Sequence, residues 1–516
     1  MIDKRDPASQ DEVFAFLANP ATHGLKTGVK RIDTHGAAVF LAGEDVYKLK
    51  KNIRFPFMDF STLEKRRAVC AREIAVNKAN APQLYLAALP ITRTPQGKLK
   101  IGGDARDAIE WAVHLRRFDE NATLDCLAWQ GELDLALIEK LAKVIAAAHE
   151  VAAPAAKPAT VLFRDQLEST LDDLAAADDI FDASRVAAFQ VDIRAELVCV
   201  EPLLREREKQ GQARRCHGDL HLRNIVLIAG EPVLFDAIEF DDDFATCDKF
   251  YDLAFLLMDL WQRGLHAQAN LLLNRYLAAS REDVLCLDGL AALPLFLSSR
   301  AAIRAKVAAA QAREDAKARH RLVADARGYF DAACGFLQKE DVRLVAIGGF
   351  SGTGKSTLAQ RLASHIGRAP GAIHLRSDSL RKKMHGLPEF ESLKPEAYRS
   401  EVSTKVYAEL RLRSEHGLRT GQSMIIDASF LNAGERDLAE ELGRRSKAAF
   451  TGIWLDADRE ILLRRVAARK GDVSDAGPAV VIGQIEKGAG HVNWPRLDAA
   501  RPLDELVHAA QALIER

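Results

Sequence analysis

Apolar and polar positions change period along the chain, and the changes mark its organisation. Residues 36–51, GAAVFLAGEDVYKLKK, hold two short apolar runs around Gly43-Glu44-Asp45, which predicts a hairpin. Residues 61–79 have helical periodicity, and AIEWAVHLRRF at 108–118 alternates as a strand does. From about residue 133 the pattern is helical, with an Ala/Pro-rich break at 153–160 and long helices to about 210. An irregular stretch follows, then a strand pair around Ile225–Ile228 and Pro232–Phe235, and more helices to about 338. Within these, 301–327 is rich in Ala, Arg and Lys and predicts a solvated helix.

At 342–347 the pattern changes to VRLVAI, a β-branched apolar run suited to a buried parallel strand. Helix and strand then alternate: helix from Lys355, strand 372–376, helix from Ser379, strand 423–429, helix from Ala433, strand 449–455, helix from Arg459. Such alternation predicts a doubly wound parallel sheet. The expected division is a first domain over 1–338 and a second over 339–516.

Bulk properties narrow the class. A chain of 516 residues, 48% hydrophobic, is too long for one core. The net charge is −1, divided as −5 before Asp341 and +4 from it onward, so no strong field favours nucleic acid or an anionic membrane. Seven cysteines without a C-x-x-C pair fit reduced thiols and a cytoplasmic location. MIDKRDPASQ lacks the apolar core of a signal peptide. No apolar run reaches the roughly 18 residues of a membrane span. The longest, YDLAFLLMDLW at 251–261, is interrupted by Asp252 and Asp259 and reads as a buried helix.

Candidate chemistry occurs twice. Gly349-Phe350-Ser351-Gly352-Thr353-Gly354-Lys355-Ser356 fits G-x-x-x-x-G-K-[ST] between a strand and a helix. In that pattern the glycines turn backbone N–H groups of Ser351, Gly352, Thr353 and Gly354 toward phosphates, and the helix N-terminus, with Thr357 in its first turn, adds its dipole. Lys355 is expected on the β/γ-phosphates of ATP and the Ser356 hydroxyl on Mg²⁺. Asp378, at the end of the second strand, is placed to take a proton from an acceptor hydroxyl, and Arg381, a turn later, to steady the moving phosphoryl group. Asp427 ends IIDAS as a candidate Mg²⁺ ligand or acceptor contact. Arg464, Arg465 and Arg469 lie on one helix, with Arg465 and Arg469 on one face as candidate lid arginines. Together with GDVSDAG after them, these motifs resemble the small P-loop kinase group that includes gluconate kinase, polynucleotide 5'-kinase and zeta toxins.

The second constellation lies upstream. His217-Gly218-Asp219-Leu220-His221-Leu222-Arg223-Asn224 pairs an Asp with an Asn five residues on, and Asp236 follows twelve residues later. An acceptor base at Asp219 and metal ligands at Asn224 and Asp236 fit that order. The HGDxHxxN pattern resembles the aminoglycoside phosphotransferase and choline kinase group. The resemblance implies an α+β protein-kinase-like fold with a strand lysine and a helix glutamate. Lys48 aligns best, Lys50 is the alternative, and Glu73 is the natural partner; β alternation puts both lysines on one face. Gly43-Glu44-Asp45 is a weak candidate for the phosphate-covering loop, and 54–66 is more elaborate than a connector needs. The run Glu239, Asp241, Asp242, Asp243 reads mainly as a solvated loop, with substrate binding the alternative. His217 is expected to pack beneath the loop.

The whole arrangement resembles bacterial bifunctional aminoglycoside phosphotransferase/ATP-binding proteins. It implies two ATP- and Mg²⁺-dependent kinases acting on hydroxyls of small molecules. A polynucleotide 5'-kinase with an accessory first domain, or one domain regulating the other, are the alternatives. Nucleic acid is not favoured, because basic–aromatic interleaving is absent. No membrane partner is expected, and oligomeric state is open.

Overall fold

The computed structural model describes residues 9–55, 58–280, 283–469 and 473–516. Three parts of the sequence reading lie outside these residues: the first eight positions, Pro56–Phe57 of the elaborate segment, and Gly471–Asp472 of GDVSDAG. By internal contacts the chain forms two units: residues 1–169 with 208–256, and residues 170–207 with 257–516. The segment boundary expected near 338 therefore lies inside the second unit, because helices from 257 to 336 group with the P-loop segment.

The first unit is α+β. Strands β1 (Lys30–Asp33), β2 (Ala37–Ala42), β3 (Asp45–Lys50), β4 (Tyr85–Arg93), β5 (Leu99–Ile101) and β6 (Glu110–Arg116) form an antiparallel sheet in the order β1-β2-β3-β6-β4-β5. Helix α1 (Leu63–Asn77), capped by the Thr62 side chain, packs on β6 and β4. The alternation of β3 sends Tyr47 and Leu49 into one apolar cluster with Phe14, Phe40 and Ile91. Lys48 and Lys50 consequently emerge on the other face, toward α1. Helix α2 (Leu135–Val151) and the hairpin of β7 (Ile225–Ile228) with β8 (Glu231–Leu234) support the loop that contains Asp219. Helix α3 (Lys249–Gln262) begins in this unit.

The second unit contains helices α4 (His266–Ala279), α5 (Leu293–Glu314) and α6 (Arg319–Phe336). It also contains the parallel sheet of β9 (Arg343–Gly349), β10 (Ile373–Arg376), β11 (Met424–Asp427), β12 (Ala449–Asp456) and β13 (Arg496–Asp498). Its order is β10-β11-β9-β12-β13, all parallel, as expected for a doubly wound α/β sheet. Helices α7 (Lys355–Ala363), α8 (Ser377–Met384), α9 (Ser400–Arg419) and α10 (Arg459–Ala467) connect or flank these strands. Val345, Ile347, Ile425 and Ile453 are fully buried beneath α7.

Two expectations are corrected. Residues 301–327 are two helices that break at 315–318, and Ala301, Ala302, Ala305, Ala308, Ala309 and Ala312 are buried, so α5 is a core helix. Small alanine side chains let α5 and α6 approach closely, while the long basic side chains reach out. The helical stretch Cys286–Glu314 is also long and apolar enough to cross a membrane, although no such run was expected. In this fold 83% of its most apolar window is buried inside the protein, which accounts for its composition.

Candidate functional site

In the first unit, Lys48 is the junction of a buried charge network. Its Nζ lies 2.9 Å from Glu73 Oε1 on α1 and 2.6 Å from Asp236 Oδ1 after β8. Lys50 Nζ lies 2.5 Å from Glu73 Oε2 and also pairs with Glu239. Glu73 is fully buried, and two lysines make this possible: burial alone would raise its carboxyl, but Lys48 and Lys50 hold it below its ordinary value. Desolvation likewise opposes the charge on Lys48, yet Asp236 and Glu73 raise it well above the usual lysine range. The open choice between the lysines thus separates by partner: Lys48 joins Glu73 to Asp236, whereas Lys50 joins Glu73 to Glu239.

The loop opposite is held from below. Asn224 Nδ2 donates to Asp219 Oδ2 at 2.9 Å and to the Asp219 carbonyl at 3.0 Å, and His221 Nε2 lies 3.3 Å from Asp219 Oδ2. Gly218 adopts φ +84°, where a Cβ would meet Ile238 and Ala245 at 3.0–3.3 Å. Asp252 on α3, fully buried, accepts from Gly218 N at 2.8 Å and His217 N at 3.2 Å and faces His149 Nε2 at 3.1 Å. His217 is buried as expected, with Nε2 2.9 Å from the Phe235 carbonyl. Asp236 itself sits at φ +59°, unusual outside glycine; its N–H donates to Tyr85 Oη at 3.0 Å, and Asn77 Oδ1 accepts from the next N–H at 2.8 Å.

Sequence reasoning did not assign Asp252, Tyr85 or Asn77. Asp252 left one signal: a carboxylate inside an apolar helix must be satisfied to be buried. The acidic run is also not a solvated loop throughout. Glu239 is nearly buried on Lys50, Asp242 pairs with Arg72 and Arg215, and Asp243 lies 2.7 Å from Lys157. The turn Gly43-Glu44 is at the start of β3, whereas the β1–β2 turn at 34–36 adjoins its end, where Lys51 N donates to the Gly36 carbonyl at 2.9 Å. The turn beside the lysine end is therefore Thr34-His35-Gly36, without a glycine-rich signature.

In the second unit, Gly349, Gly352 and Gly354 take φ of +140°, +94° and +87°. A Cβ on Gly349 would lie 2.5 Å from the Leu455 carbonyl oxygen, so the loop packs against β12 as only glycine allows. Ser351 N donates to Gln484 Oε1 at 2.9 Å, and Thr353 Oγ1 donates to the Phe350 carbonyl at 2.9 Å. Lys355 Nζ donates to the carbonyls of Gly349 and Phe350 at 3.0 and 3.1 Å. Burial lowers its pKa, against the pull of Asp427 and Asp378; Arg469 and Arg376 push the same way as burial. Ser356 is half-buried and Thr357 exposed on the first turn of α7.

Asp427 is buried at the end of β11, with His374 Nε2 at 3.2 Å and Arg376 Nε at 3.7 Å. Burial would raise its carboxyl, but His374 and Arg376 hold it down to about 2. His374 and Arg376, at the end of β10, were not assigned from sequence. Asp378 follows in α8, half-buried and close enough to Lys355 to influence it. Arg381 is buried and engaged elsewhere: its Nη1 donates to the Ala397 carbonyl at 2.7 Å and its guanidinium lies over the Tyr398 ring at 5.0 Å. Asp475, from the SDA motif, accepts from Lys382, Tyr398 and Leu393 N, and so fixes the same segment. Of the lid candidates, Arg465 donates to the Ala499 carbonyl at 2.9 Å, while Arg469, just past α10, acts on Lys355.

Comparison with known proteins agrees with these two constellations. Residues 84–290 match the phosphotransferase enzyme family, and residues 344–488 match an AAA domain model. An uncharacterized protein of Mycobacterium tuberculosis strain H37Rv and one of Mycobacterium bovis are each 27% identical over 487 residues, 93% of this chain and 94% of theirs. Among solved structures, a choline/ethanolamine kinase family protein from Mesorhizobium loti is 15% identical, covering 64% of this chain and 95% of its own, with TM-score 0.40. A gluconokinase from Sinorhizobium meliloti 1021 is 22% identical, covering 35% of this chain and 94% of its own, with TM-score 0.26. The chain is an ATP-dependent phosphotransferase whose residues 84–290 are similar to the phosphotransferase enzyme family and whose residues 344–488 are similar to an AAA domain.

Proposed function

We propose that the chain is a tandem kinase, each site transferring the γ-phosphoryl group of ATP to a hydroxyl of a small molecule. The observation that carries this reading is the Lys48 bridge between Glu73 and Asp236 beside the Asp219–Asn224 pair. A merely structural P-loop accessory would need no such network.

In the first site, Asp219 accepts the proton of the acceptor hydroxyl as its oxygen attacks phosphorus. Lys48, oriented by Glu73, holds phosphate oxygens of the nucleotide. Asn224 donates through Nδ2, which leaves Oδ1 as an acceptor, and with the Asp236 carboxylate this gives an all-oxygen donor set that suits Mg²⁺. In the second site, the N–H groups of Gly352 and of 354–356, with the Lys355 side chain, bind the phosphates, and Ser356 and Asp427 are the oxygen donors for Mg²⁺; the Ser351 N–H is taken by Gln484 and the Thr353 N–H by the Phe350 carbonyl. Bound Mg²⁺ would neutralise phosphate charge in both sites. Asp378 is the base, and Arg376 and Arg469, which both act on Lys355, are the candidates to meet the transferring group, while Arg381 is held by Ala397 and Tyr398. Arg381 thus becomes a positioning residue for α8.

The test is transfer of ³²P from γ-labelled ATP into extracted small molecules and oligonucleotides by wild type, Asp219→Asn and Lys355→Ala. Loss of a different labelled product in each variant is expected. If Asp219→Asn loses none, the first site is a binding or regulatory module; label appearing in oligonucleotides alone would favour a 5'-kinase.

A further inference from the structure

Two lysines share Glu73, and the fold treats them differently. Lys48 and Asp236 stand at the open side of the first site, with 16% and 42% of their side chains exposed. Lys50, next on the same face of β3, is sealed, with 3% of its side chain exposed. Its ammonium group lies 2.5 Å from Glu73 Oε2, pairs with Glu239, and sits 5.7 Å from the centre of the Phe60 ring. Its backbone is fixed as well, since Gln10 Nε2 donates to the Lys50 carbonyl at 2.9 Å. A group enclosed in this way touches no ligand. What it acts on is Glu73.

The charges show why a second lysine is useful there. Lys48 Nζ lies between Glu73 and Asp236, so one ammonium group serves two carboxylates. To hold phosphate oxygens it has to turn away from Asp236, whose carboxylate is then left for Mg²⁺. Glu73 is fully buried, and a buried carboxylate stripped of its cation is strongly unfavourable. With Lys48 as its sole cation, Glu73 would hold that lysine back. Lys50 gives the other carboxylate oxygen a cation of its own, for which no ligand competes. Glu239 holds Lys50 in turn and, because it closely follows Asp236, ties the same segment to β3. Asn77 Oδ1 accepts from Ala237 N at 2.8 Å and Arg72 Nη2 lies 2.5 Å from Asp242, which ties that segment to α1.

We infer that Lys50 and Glu239 are a positioning pair for the first site: Lys50 carries the charge of Glu73 while Lys48 turns from Asp236 to the nucleotide, and Glu239 keeps Lys50 in place. The inference rests on the kinase reading of the first site and goes beyond it by giving the second lysine a separate task. Lys48 is the residue that meets phosphate, and Lys50 acts through Glu73.

Calorimetric binding of the ATP analogue AMPPNP with Mg²⁺ tests this in the full chain carrying Lys355→Ala, whose P-loop has lost its phosphate lysine. Adding Lys50→Met should weaken binding at the first site by about 10-fold, as loss of one charge-assisted contact allows. Lys50→Arg, which keeps the charge, should recover part of it. Glu239→Gln, which keeps a hydrogen bond to Lys50, should cost less, about 3-fold. The decisive readout is non-additivity. Lys50→Met with Glu73→Gln removes the stranded carboxylate along with its cation, so the double variant should bind no more weakly than Lys50→Met alone. A merely structural Lys50 would instead lower Tm, leave affinity unchanged in the folded protein, and give losses that add. If Lys50→Met does not fold, Glu239→Gln and Lys50→Arg carry the test: wild-type affinity in both overturns the inference, and a graded loss supports it. Unchanged affinity in Lys50→Met, or strictly additive losses in the double variant, also overturns it. If the Lys355→Ala chain itself binds no AMPPNP, the kinase reading of the first site fails and takes the inference with it, an outcome distinct from the others because it precedes any change at Lys50.

Discussion

Asp252 shows how one buried side chain sets a site without touching substrate. It sits on the first turn of α3 with no exposed surface, and its two oxygens take the N–H groups of His217 and Gly218. Gly218 can then hold its positive φ, and Asp219 projects toward Lys48 and Asp236. Asp252→Asn keeps the shape but replaces one acceptor with a donor, leaving a buried N–H unmet. It should cost about 1–3 kcal/mol, read as a lower urea midpoint, and sharply reduce first-site transfer while second-site transfer persists. An unchanged midpoint would remove Asp252 from this role. His217 gives a pH signature. Burial lowers its pKa below the ordinary 6.5, against Asp252 and Asp219. The unfolded chain therefore binds the proton more readily in the window below 6.5, and stability rises with pH across it. One such group contributes a slope of at most about 1.4 kcal/mol per pH unit. The urea midpoint should fall from pH 7 to pH 5 in wild type and fall less in His217→Asn; equal slopes would refute the assignment.

Elements differ in how plainly the sequence announces them. The P-loop was legible because glycine spacing, a β-branched strand and a following helix all specify one geometry, and β3 because alternation alone puts Lys48 and Lys50 on a shared face. Strand β1 was not legible: it is an edge strand, largely exposed, with no apolar alternation to report. Strand β4 carries Ala and Pro90, which give weak strand signals. His374 and Arg376 were missed because their meaning depends on register, which sets Arg376 opposite Asp427. Arg381 was over-read for the converse reason, since helical spacing does not reveal that Ala397 and Tyr398 take its guanidinium. Within the P-loop the glycines are not equivalent. Gly349→Ala brings a methyl group against the Leu455 carbonyl and should destabilise by about 2 kcal/mol or more and abolish nucleotide binding there. At Gly354 nothing lies within 4 Å, so Gly354→Ala meets only the positive-φ penalty of about 1–2 kcal/mol. Thermal melts with and without an ATP analogue check the order, and equal losses would contradict it.

At the scale of the molecule, sequence segments and contact units do not coincide. The P-loop segment begins near 339, but residues 170–207 and 257–338 group with it. Asn270 and Asn274 Nδ2 of α4 donate to the Ala372 carbonyl beside β10 at 3.0 and 3.2 Å, Asn274 Oδ1 accepts from His374 N at 2.7 Å, Arg368 Nη2 donates to the Leu290 carbonyl at 2.9 Å, and His416 Nδ1 lies 3.3 Å from Asp288 Oδ1. A fragment of 339–516 would lose all of these and leave the β10 edge open to pairing with another chain. It is expected to melt at a lower temperature than a fragment of 257–516, and to self-associate at concentrations where the longer fragment stays monomeric. Each lost buried hydrogen bond costs about 1 kcal/mol, so several together are a large share of a domain's margin of stability. Sedimentation and thermal melts of the two fragments decide the matter. If 339–516 is monomeric and melts with the longer fragment, the upstream helices are passengers and the P-loop segment is autonomous. If it associates and melts early, the helices of 257–338 are part of the P-loop unit, and the segment that matches the phosphotransferase enzyme family, which runs to 290, cannot be cut away whole without opening the β10 edge.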